Sequence, residues 1–576
     1  INAAFELTND LSIEGRFGTD WYQFSAINAV PVQSIETSYY GERERRYQER
    51  NLELRLNYGK NFGNVSLNAI VGGNTMRRAR NFTNIQSTGG LSLDGFYNID
   101  NAKAPQALAT TFKKRINSLF GTASIGLQNW IYLDLSARND WTSTLSTENN
   151  SYLYSSASLS AVISDIPGLG DLGPISFAKL RVSWAQAGVD TDEYNLYTVY
   201  NAETPNFNGV PRYGVPNQLN NINLKNELTT EYEIGADMRF LNNRLGLDVA
   251  YFHRTTERQI IPVGVSATTG NITSIDNVGE MRNKGWEFML TSTPVKTKDF
   301  SWDIGINALY LDNEVVDIKE GIESIPIGAT WAADLRVAEG VGYMAVFGND
   351  YIRENYEEDA EGNIIKNEGR PVVGDDGQYL RTANRVFLGS ALADWTGGFS
   401  TAISYKGLSL SALFDFQKGG VIHSTSLQWS KYSGLHPETV SQNGVDDIRE
   451  SGLILNGVKD DGNGNFVEND IVIEDPLGYY QDSDTWRGLA AANLYSASFL
   501  KFRELRLDYR LPNRIFSGSS FKDVRIGVFG RNLAILWSDL PYLDPQSVTT
   551  SGNAQGLENA QVPSTRTFGV NLSFKL

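Results

Sequence analysis

A strict alternation of apolar and polar side chains at the end of the chain constrains the fold more than any other feature of this sequence. The apolar side chains are Phe568, Val570, Leu572, Phe574 and Leu576, separated by Thr567, Gly569, Asn571, Ser573 and Lys575. A period of two residues is that of a β-strand with one apolar and one polar face. If the apolar face meets lipid and the polar face meets water, the sheet is a transmembrane barrel.

The same alternation recurs along the chain. In residues 130–138, Ile131, Leu133 and Leu135 alternate with Tyr132 and Asp134, and residues 231–240 repeat the pattern. Roughly seventeen such segments can be counted, each near the ~9–11 residues that a tilted strand needs to cross a bilayer. The sequence therefore predicts an all-β fold, a transmembrane antiparallel β-barrel of about seventeen strands.

The connections between these strands alternate between short and long. Short turns on one rim and long loops on the other are typical of outer-membrane barrels, in which the short rim is periplasmic. Loops much longer than ordinary connections usually carry function. The long extracellular loops are predicted at about 74–115, 188–227, 313–393, 419–494 and 534–564.

The strand count predicts a larger barrel. Single-chain bacterial barrels have an even number of strands, with both chain ends in the periplasm. An odd count starting at Ile1 then requires at least one further strand before it. We expect residues 1–576 to be the C-terminal part of such a barrel.

Composition excludes several classes of function. The net charge of -17 and the pI of about 4.8 oppose binding to nucleic-acid phosphates, which needs a basic surface. The chain has no cysteine and therefore no thiolate chemistry. His253, His423 and His436 lack zinc-binding spacing and are interpreted as polar loop or strand-end residues. No nucleophile elbow, phosphate loop or dinucleotide fingerprint is found in a suitable context, so we expect no enzyme, catalytic residue, cofactor or metal.

One segment resembles a calcium-binding loop. Asp460, Asp461, Asn463 and Asn465 alternate oxygen-bearing side chains with glycines. The glycine and the closing glutamate of a calcium loop are absent from their required positions. A plain turn at a loop tip is the favoured interpretation.

Aromatic side chains in the two longest predicted loops are the candidate binding residues. Such rings can stack on sugar faces or pack against a partner, but long loops also need cores of their own, so both roles stay open. The candidate substrate-binding or partner-binding residues are Trp331, Tyr343, Tyr351, Trp429, Tyr432, Tyr479, Tyr480 and Trp486.

Several segments together resemble one protein family. They are residues 223–245, 248–254, 277–288, 498–512 and 530–545, which are similar to the barrel of SusC/RagA-like TonB-dependent transporters. The resemblance spans at least residues 223–576. Before residue 150 it depends on the strand pattern alone.

The resemblance implies a 22-stranded outer-membrane barrel of a Gram-negative bacterium, filled by an N-terminal plug. Such proteins import oligosaccharides or peptides with energy from the TonB complex, together with a SusD-like surface lipoprotein that lids the barrel, and a dimer of transporter–lid pairs is one assembly. Neither a plug nor a TonB box is recognised in this sequence. We expect coupling to TonB through a plug that precedes residue 1.

Three alternatives remain at the level of sequence. A passive porin or surface-binding barrel would lack TonB coupling. A siderophore or metal-chelate receptor would share the same strand pattern. A soluble protein of several sandwiches would bury the alternating apolar residues between stacked sheets. The identity of the substrate cannot be derived from the residues.

Overall fold

The computed structural model describes residues 1–170, 172–360, 362, 364–442, 444–482, 487–550 and 552–575. Strands dominate throughout. The chain divides into two compact units, one of residues 1–173, 177–236 and 252–280 and the other of residues 174–176, 237–251 and 281–576. No helix among the described residues is long and apolar enough to cross a bilayer.

The first unit is built from eight strands in which each pairs antiparallel with the next. These strands are β1 (Asn2–Thr8), β2 (Leu11–Val30), β3 (Tyr39–Phe62), β4 (Val65–Leu91), β5 (Ala102–Leu127), β6 (Ile131–Thr142), β7 (Ser151–Val162) and β8 (Ile175–Val189). The connection after β8 contains three short strands, β9 (Asn201–Phe207), β10 (Val210–Gly214) and β11 (Gln218–Leu219).

Three long strands contribute residues to both units. They are β12 (Glu227–Phe240), β13 (Leu245–Gly264) and β14 (Thr273–Lys296).

The second unit contains six further long strands, and each pairs antiparallel with the next of the six. They are β15 (Phe300–Asp317), β22 (Trp395–Tyr405), β23 (Leu408–Lys418), β28 (Phe499–Arg510), β29 (Lys522–Ser538) and β31 (Thr567–Lys575). We call these six, the three before them and the first eight the wall strands. Within the described residues they number seventeen, which confirms the predicted count and the antiparallel all-β class.

The loops of the second unit carry small sheets and helices of their own. The strands are β16 (Ser324–Ala329), β17 (Ala333–Ala338), β18 (Ala345–Gly348), β19 (Arg353–Glu358), β20 (Ile364–Pro371), β21 (Val386–Ser390), β24 (Val421–Ser424), β25 (Val458–Asp460), β26 (Phe466–Glu468), β27 (Leu494–Ser496) and β30 (Leu557–Glu558). The helices are α1 (Thr425–Tyr432), α2 (Ile448–Ser451) and α3 (Pro476–Gln481). Buried apolar clusters lie among these elements, so the loops form hydrophobic cores of their own.

Tight turns join two pairs of neighbouring wall strands, β5 with β6 and β22 with β23. Gln128 and Asn129 both have positive φ, 50° and 62°, and so do Lys406 and Gly407, 47° and 93°. Paired left-handed residues form the tight hairpin turn whose twist matches that of the flanking strands. The sequence prediction of turns at these two places is confirmed.

The predicted loop at about 74–115 is wrong in extent. β4 continues to Leu91 and β5 begins at Ala102, and the two strands pair almost without interruption. The apolar alternation is lost there because both strand faces mix polar with apolar side chains, whereas backbone pairing does not require an apolar face. The alternating pattern therefore ends before the paired strands end.

The two faces of β2 and β3 differ in the way that a membrane wall requires. On one face Leu52, Leu54 and Leu56 are exposed. On the other, Arg55 forms an ion pair with Glu14 at 2.6 Å. Large apolar side chains left exposed in a continuous patch mark an apolar environment, and a core between stacked sheets would have buried them.

Replacement of Leu572 by Arg is expected to lower the free energy of unfolding in lipid vesicles by about 2–4 kcal/mol, because the side chain would carry a charge into hydrocarbon. Leu572 is exposed on β31. Ser573→Glu is the matched control, since the next residue points to the opposite face and lies opposite Arg525, and it should change stability little. Denaturant titration measures both, and equal effects would contradict the proposed facing.

Candidate functional site

The candidate aromatic residues separate into two groups. Tyr479 and Tyr480 are buried in a cluster with Leu453 and Leu455, and burial raises the pKa of Tyr480 to about 12. Tyr343 packs against a second buried cluster. Tyr479 and Tyr480 are buried and Tyr343 is half-buried, and all three rings stabilise the loop cores.

Tyr351 also belongs to the packed group. Its ring meets Tyr379 edge to face, with 4.9 Å between centroids. The Tyr379 hydroxyl donates a hydrogen bond to the Asn456 carbonyl oxygen at 3.0 Å. Burial raises the pKa of both phenols above the ordinary value, so both hydroxyls stay protonated and serve as structural groups.

The second group forms a row of rings, which we call the aromatic ridge. Trp331 meets Trp429 edge to face at 4.8 Å, and Trp429 meets Tyr432 at 5.0 Å. The guanidinium of Arg487 lies over the Tyr432 ring, 5.4 Å from its centroid. Trp331 is 72% exposed, which is unusual for so large an apolar ring.

Trp331 is held by a rigid hairpin despite its exposure. It lies between β16 and β17, and the residues that follow it, Ala332 and Ala333, are fully buried. Its carbonyl oxygen accepts a hydrogen bond from the Arg385 guanidinium at 3.2 Å. The position of the exposed ring is therefore fixed, because the backbone that carries it is held by these contacts.

An ion-pair group stands directly below this hairpin. Asp334 pairs with Arg336 and with Arg385. Burial by itself would raise the pKa of Asp334, but the hydrogen bonds from the two guanidinium groups hold it below its usual value. Asp334 therefore stays ionised at neutral pH, and its ion pair with Arg385 keeps that guanidinium in position to bind the Trp331 carbonyl.

Trp429 and Tyr432 are positioned by helix α1. Ser424 caps the helix, since its hydroxyl oxygen accepts from the Leu427 amide at 3.2 Å. The carboxylate of Glu558, which is only 2% exposed, accepts from the Ser424 hydroxyl at 2.6 Å and from the Ser426 amide at 3.1 Å. A carboxylate at a helix N-terminus is favourable because the free amide groups carry positive partial charge.

The same helix also holds Arg487. The side-chain amide of Gln428 donates to the Arg487 carbonyl oxygen at 2.7 Å. Because Gln428 and Tyr432 are one turn apart on α1, the residue that covers the Tyr432 ring is fixed to the helix that carries the ring. Sequence analysis did not identify Arg487 or Glu558, and no local pattern marks either of them.

His423 lies near the end of β24 and His436 lies in a loop, as the sequence predicts, and both side chains are buried, whereas His253 lies inside β13. Burial lowers the pKa of His423 to about 4, and neither ring nitrogen has a hydrogen-bond partner. Within the described residues, no group of three or more histidine or carboxylate side chains is arranged to hold a metal ion.

The segment that resembles a calcium loop forms the turn of a hairpin between β25 and β26. One oxygen of Asp460 accepts from the Gly462 amide at 2.8 Å, and one oxygen of Asp461 accepts from the Asn463 amide at 2.8 Å. These are turns in which an aspartate side chain binds the backbone two residues on. The segment thus forms the Asp/Asn-Gly turn that the sequence predicts.

Trp486, the last of the candidate aromatic residues, lies outside the described residues. Three of the other seven candidates thus meet in one ridge and four lie in loop cores. An open row of indole and phenol rings with one cation can stack on sugar rings or on apolar and aromatic side chains.

Comparison with known proteins identifies the class. Residues 1–412 match a family described as TonB dependent receptor-like, beta-barrel. The chain therefore belongs to the TonB-dependent receptor β-barrel family, whose members are outer-membrane proteins of Gram-negative bacteria. The family consists of transporters rather than enzymes.

Individual relatives refine this assignment. TonB-dependent receptor P26 of Formosa agariphila is 24% identical over 83% of this chain and 48% of its own length. TonB-dependent receptor SusC of Bacteroides thetaiotaomicron is 26% identical over 77% of this chain and 46% of its own. The chain thus spans about half the length of these relatives.

The fold is shared with solved structures of a peptide transporter. The structure of the RagAB peptide transporter superposes with a TM-score of 0.73 at 20% identity, over 99% of this chain and 60% of that chain. The open-open state of the RagAB peptide importer gives the same TM-score. The resemblance to SusC/RagA-like transporters that the sequence predicted is confirmed.

Replacement of Glu558 by Ala is expected to loosen helix α1. The hydroxyls of Ser424 and Ser426 would lose their shared acceptor, at a cost of about 1–3 kcal/mol for buried unpaired groups. Hydrogen–deuterium exchange in residues 425–432 should accelerate about tenfold to a hundredfold. Glu450→Ala, which removes an exposed carboxylate from α2, is the control. Unchanged exchange in the Glu558 variant would show that the carboxylate does not position the ridge.

Proposed function

We propose that this chain is the barrel part of a TonB-dependent importer that carries an oligosaccharide or a peptide across the outer membrane, together with a SusD-like lipoprotein that lids it. The family match over residues 1–412 carries the proposal. The similarity to SusC and the shared fold with the RagAB peptide transporter support this substrate class over chelated metals.

The energy source and the assembly are further parts of this proposal. Energy enters through the TonB complex and a plug that occludes the barrel, as in the family to which the chain belongs. The SusD-like partner covers the extracellular loops, and dimers of transporter–lid pairs are the proposed assembly.

We assign the first contact with the substrate to the aromatic ridge. Trp331, Trp429 and Tyr432 meet edge to face, an arrangement that leaves ring faces open for stacking. Both the hairpin of Trp331 and helix α1 are anchored in buried structure, so little conformational entropy is lost when a ligand binds. A sugar ring or an apolar peptide side chain fits such a surface equally well.

The other candidates have different proposed roles. Tyr343, Tyr351, Tyr479 and Tyr480 shape the loops and do not contact the substrate, because their rings are covered by neighbouring side chains. Trp486 stays a sequence-based candidate for the same surface.

Uptake of labelled oligosaccharide or peptide mixtures by cells that carry the complete gene tests transport. We expect uptake that stops when the proton-motive force is collapsed or the TonB complex is deleted, because the barrel is proposed to be occluded at rest. Uptake that continues without the TonB complex would favour the passive porin.

Ridge variants test the binding surface separately. Trp331→Ala and Trp429→Ala should each weaken substrate binding about tenfold, since a lost aromatic anchor costs on the order of 1–2 kcal/mol. Phe5→Ala is the matched control, because it removes a comparably exposed ring (66%) from a wall strand. Binding by isothermal calorimetry that is unchanged in both tryptophan variants would exclude the ridge and leave the import proposal standing.

A further inference from the structure

Three arginines stand directly opposite one another on neighbouring wall strands of the first unit. Arg50 of β3 pairs in register with Arg77 of β4, and Arg77 pairs with Arg115 of β5. Side chains directly opposite in an antiparallel sheet lie on the same face, with ~4.5–5.5 Å between Cβ atoms. We call these three residues the arginine row. Lys113 lies two residues from Arg115 and thus on the same face.

Among the residues that the structure describes, no carboxylate forms an ion pair with the arginine row. Arg50, Arg77 and Lys113 are exposed, and none of them forms an ion pair within the described residues. The Arg115 guanidinium donates to the Asn117 side-chain oxygen at 3.2 Å, which carries no charge. Four cations therefore share one open face in a chain whose net charge is -17.

The opposite face of the same strands is neutralised. Arg78 and Arg80 both bind Glu193, and Lys114 binds Asp190. These residues alternate with those of the arginine row along β4 and β5. Carboxylate partners are thus supplied on one face and withheld on the other.

Like charges directly opposite each other in a sheet destabilise it. Arg50, Arg77 and Arg115 repel one another unless an anion lies between them, and guanidinium groups are the side chains best suited to bind phosphate in a bidentate manner. An exposed row of this kind fits a ligand with several negative charges close together.

The position of the arginine row indicates where that ligand comes from. On the same face, Leu52, Leu54 and Leu119 continue toward the short turns as an exposed apolar surface. This apolar surface ends at the arginine row, and a tryptophan lies on each side of the row. Trp141 pairs with Asn117, two residues from Arg115 toward the apolar surface, and Trp21 pairs with Gln48, two residues from Arg50 in the opposite direction.

Tryptophans on the outside of membrane barrels lie at the level of the lipid headgroups. Trp21 and Trp141 therefore place the arginine row at the boundary between hydrocarbon and water. That boundary is on the side of the strands away from the tight turn at 128–129, which is the outer leaflet if the short turns are periplasmic.

We propose that the arginine row binds the phosphate groups of a phosphorylated glycolipid of the outer leaflet, of the lipid A type. The guanidinium groups of Arg50, Arg77 and Arg115 hold the phosphates and Lys113 adds a fourth cation. The acyl chains lie along Leu52, Leu54 and Leu119. A soluble polyanion would use the cations but would have no use for the apolar surface that continues from them.

The test uses the purified full-length protein in a neutral detergent. Native mass spectrometry and thermal stability are measured with diphosphorylated lipid A, with the same lipid after phosphatase treatment, and with inorganic phosphate alone. The variants are Arg77→Gln and the triple change Arg50→Gln, Arg77→Gln and Arg115→Gln. Lys103→Gln is the matched control, since it removes an exposed cation from the far end of β5 on the same face. Heat-modifiable migration in gels verifies that each variant is folded.

We expect diphosphorylated lipid A to bind the wild type and the Lys103 variant equally. Affinity should fall about tenfold in Arg77→Gln and about a thousandfold in the triple variant, since each lost charge-assisted contact costs roughly a factor of ten. The phosphatase-treated lipid should bind weakly to every form.

Three results would overturn the proposal. Equal binding of the lipid before and after phosphatase treatment would mean that only the apolar surface is used. Stabilisation by inorganic phosphate as large as that by the lipid would identify a free-anion site. Undiminished lipid binding by the folded Arg77→Gln and triple variants would remove the arginine row from the site. None of these results bears on import, which the uptake assay tests by itself.

Discussion

Backbone pairing between neighbouring strands is the interaction on which the rest of this structure depends. Lipid offers no partner for an N–H or C=O group, so every strand that crosses it must pair with its neighbours. This requirement concerns the backbone alone and leaves the side chains free. β4 and β5 therefore continue as a paired ladder into segments where both faces mix polar with apolar side chains. The extended strands provide a stiff support for groups that lie above the apolar surface.

Alternation of side chains gives each wall strand two independent surfaces. Arg77 and Arg78 are adjacent in sequence, yet Arg78 is neutralised by Glu193 while Arg77 meets two other arginines. One face holds the connection that follows β8, through Asp190 and Glu193. The other is left positively charged at the boundary of the apolar surface. Because side chains alternate between the two faces of a strand, one face of β4 and β5 has a structural role and the other has the proposed binding role.

The loop domains of the second unit show the same division among aromatic residues. Tyr479 and Tyr480 are buried in a hydrophobic core within the loops. Trp331 is exposed, and the buried alanines that follow it hold its hairpin in place. Glu558 connects the buried loop structure to the exposed aromatic rings. It satisfies the first turn of α1 from a distant part of the chain and thereby sets the direction of Trp429 and Tyr432.

The sequence by itself determined the strand class, the number of wall strands, the tight turns at 128–129 and 406–407 and the family, because all of these depend on patterns within a few residues. It did not determine where β4 and β5 end, since alternation vanishes when both faces mix polar with apolar side chains. Nor could it separate Trp331 from Tyr480, or find Glu558. Only the tertiary structure decided these, because burial and pairing are set by residues far apart in the chain, as Ser426 and Glu558 are.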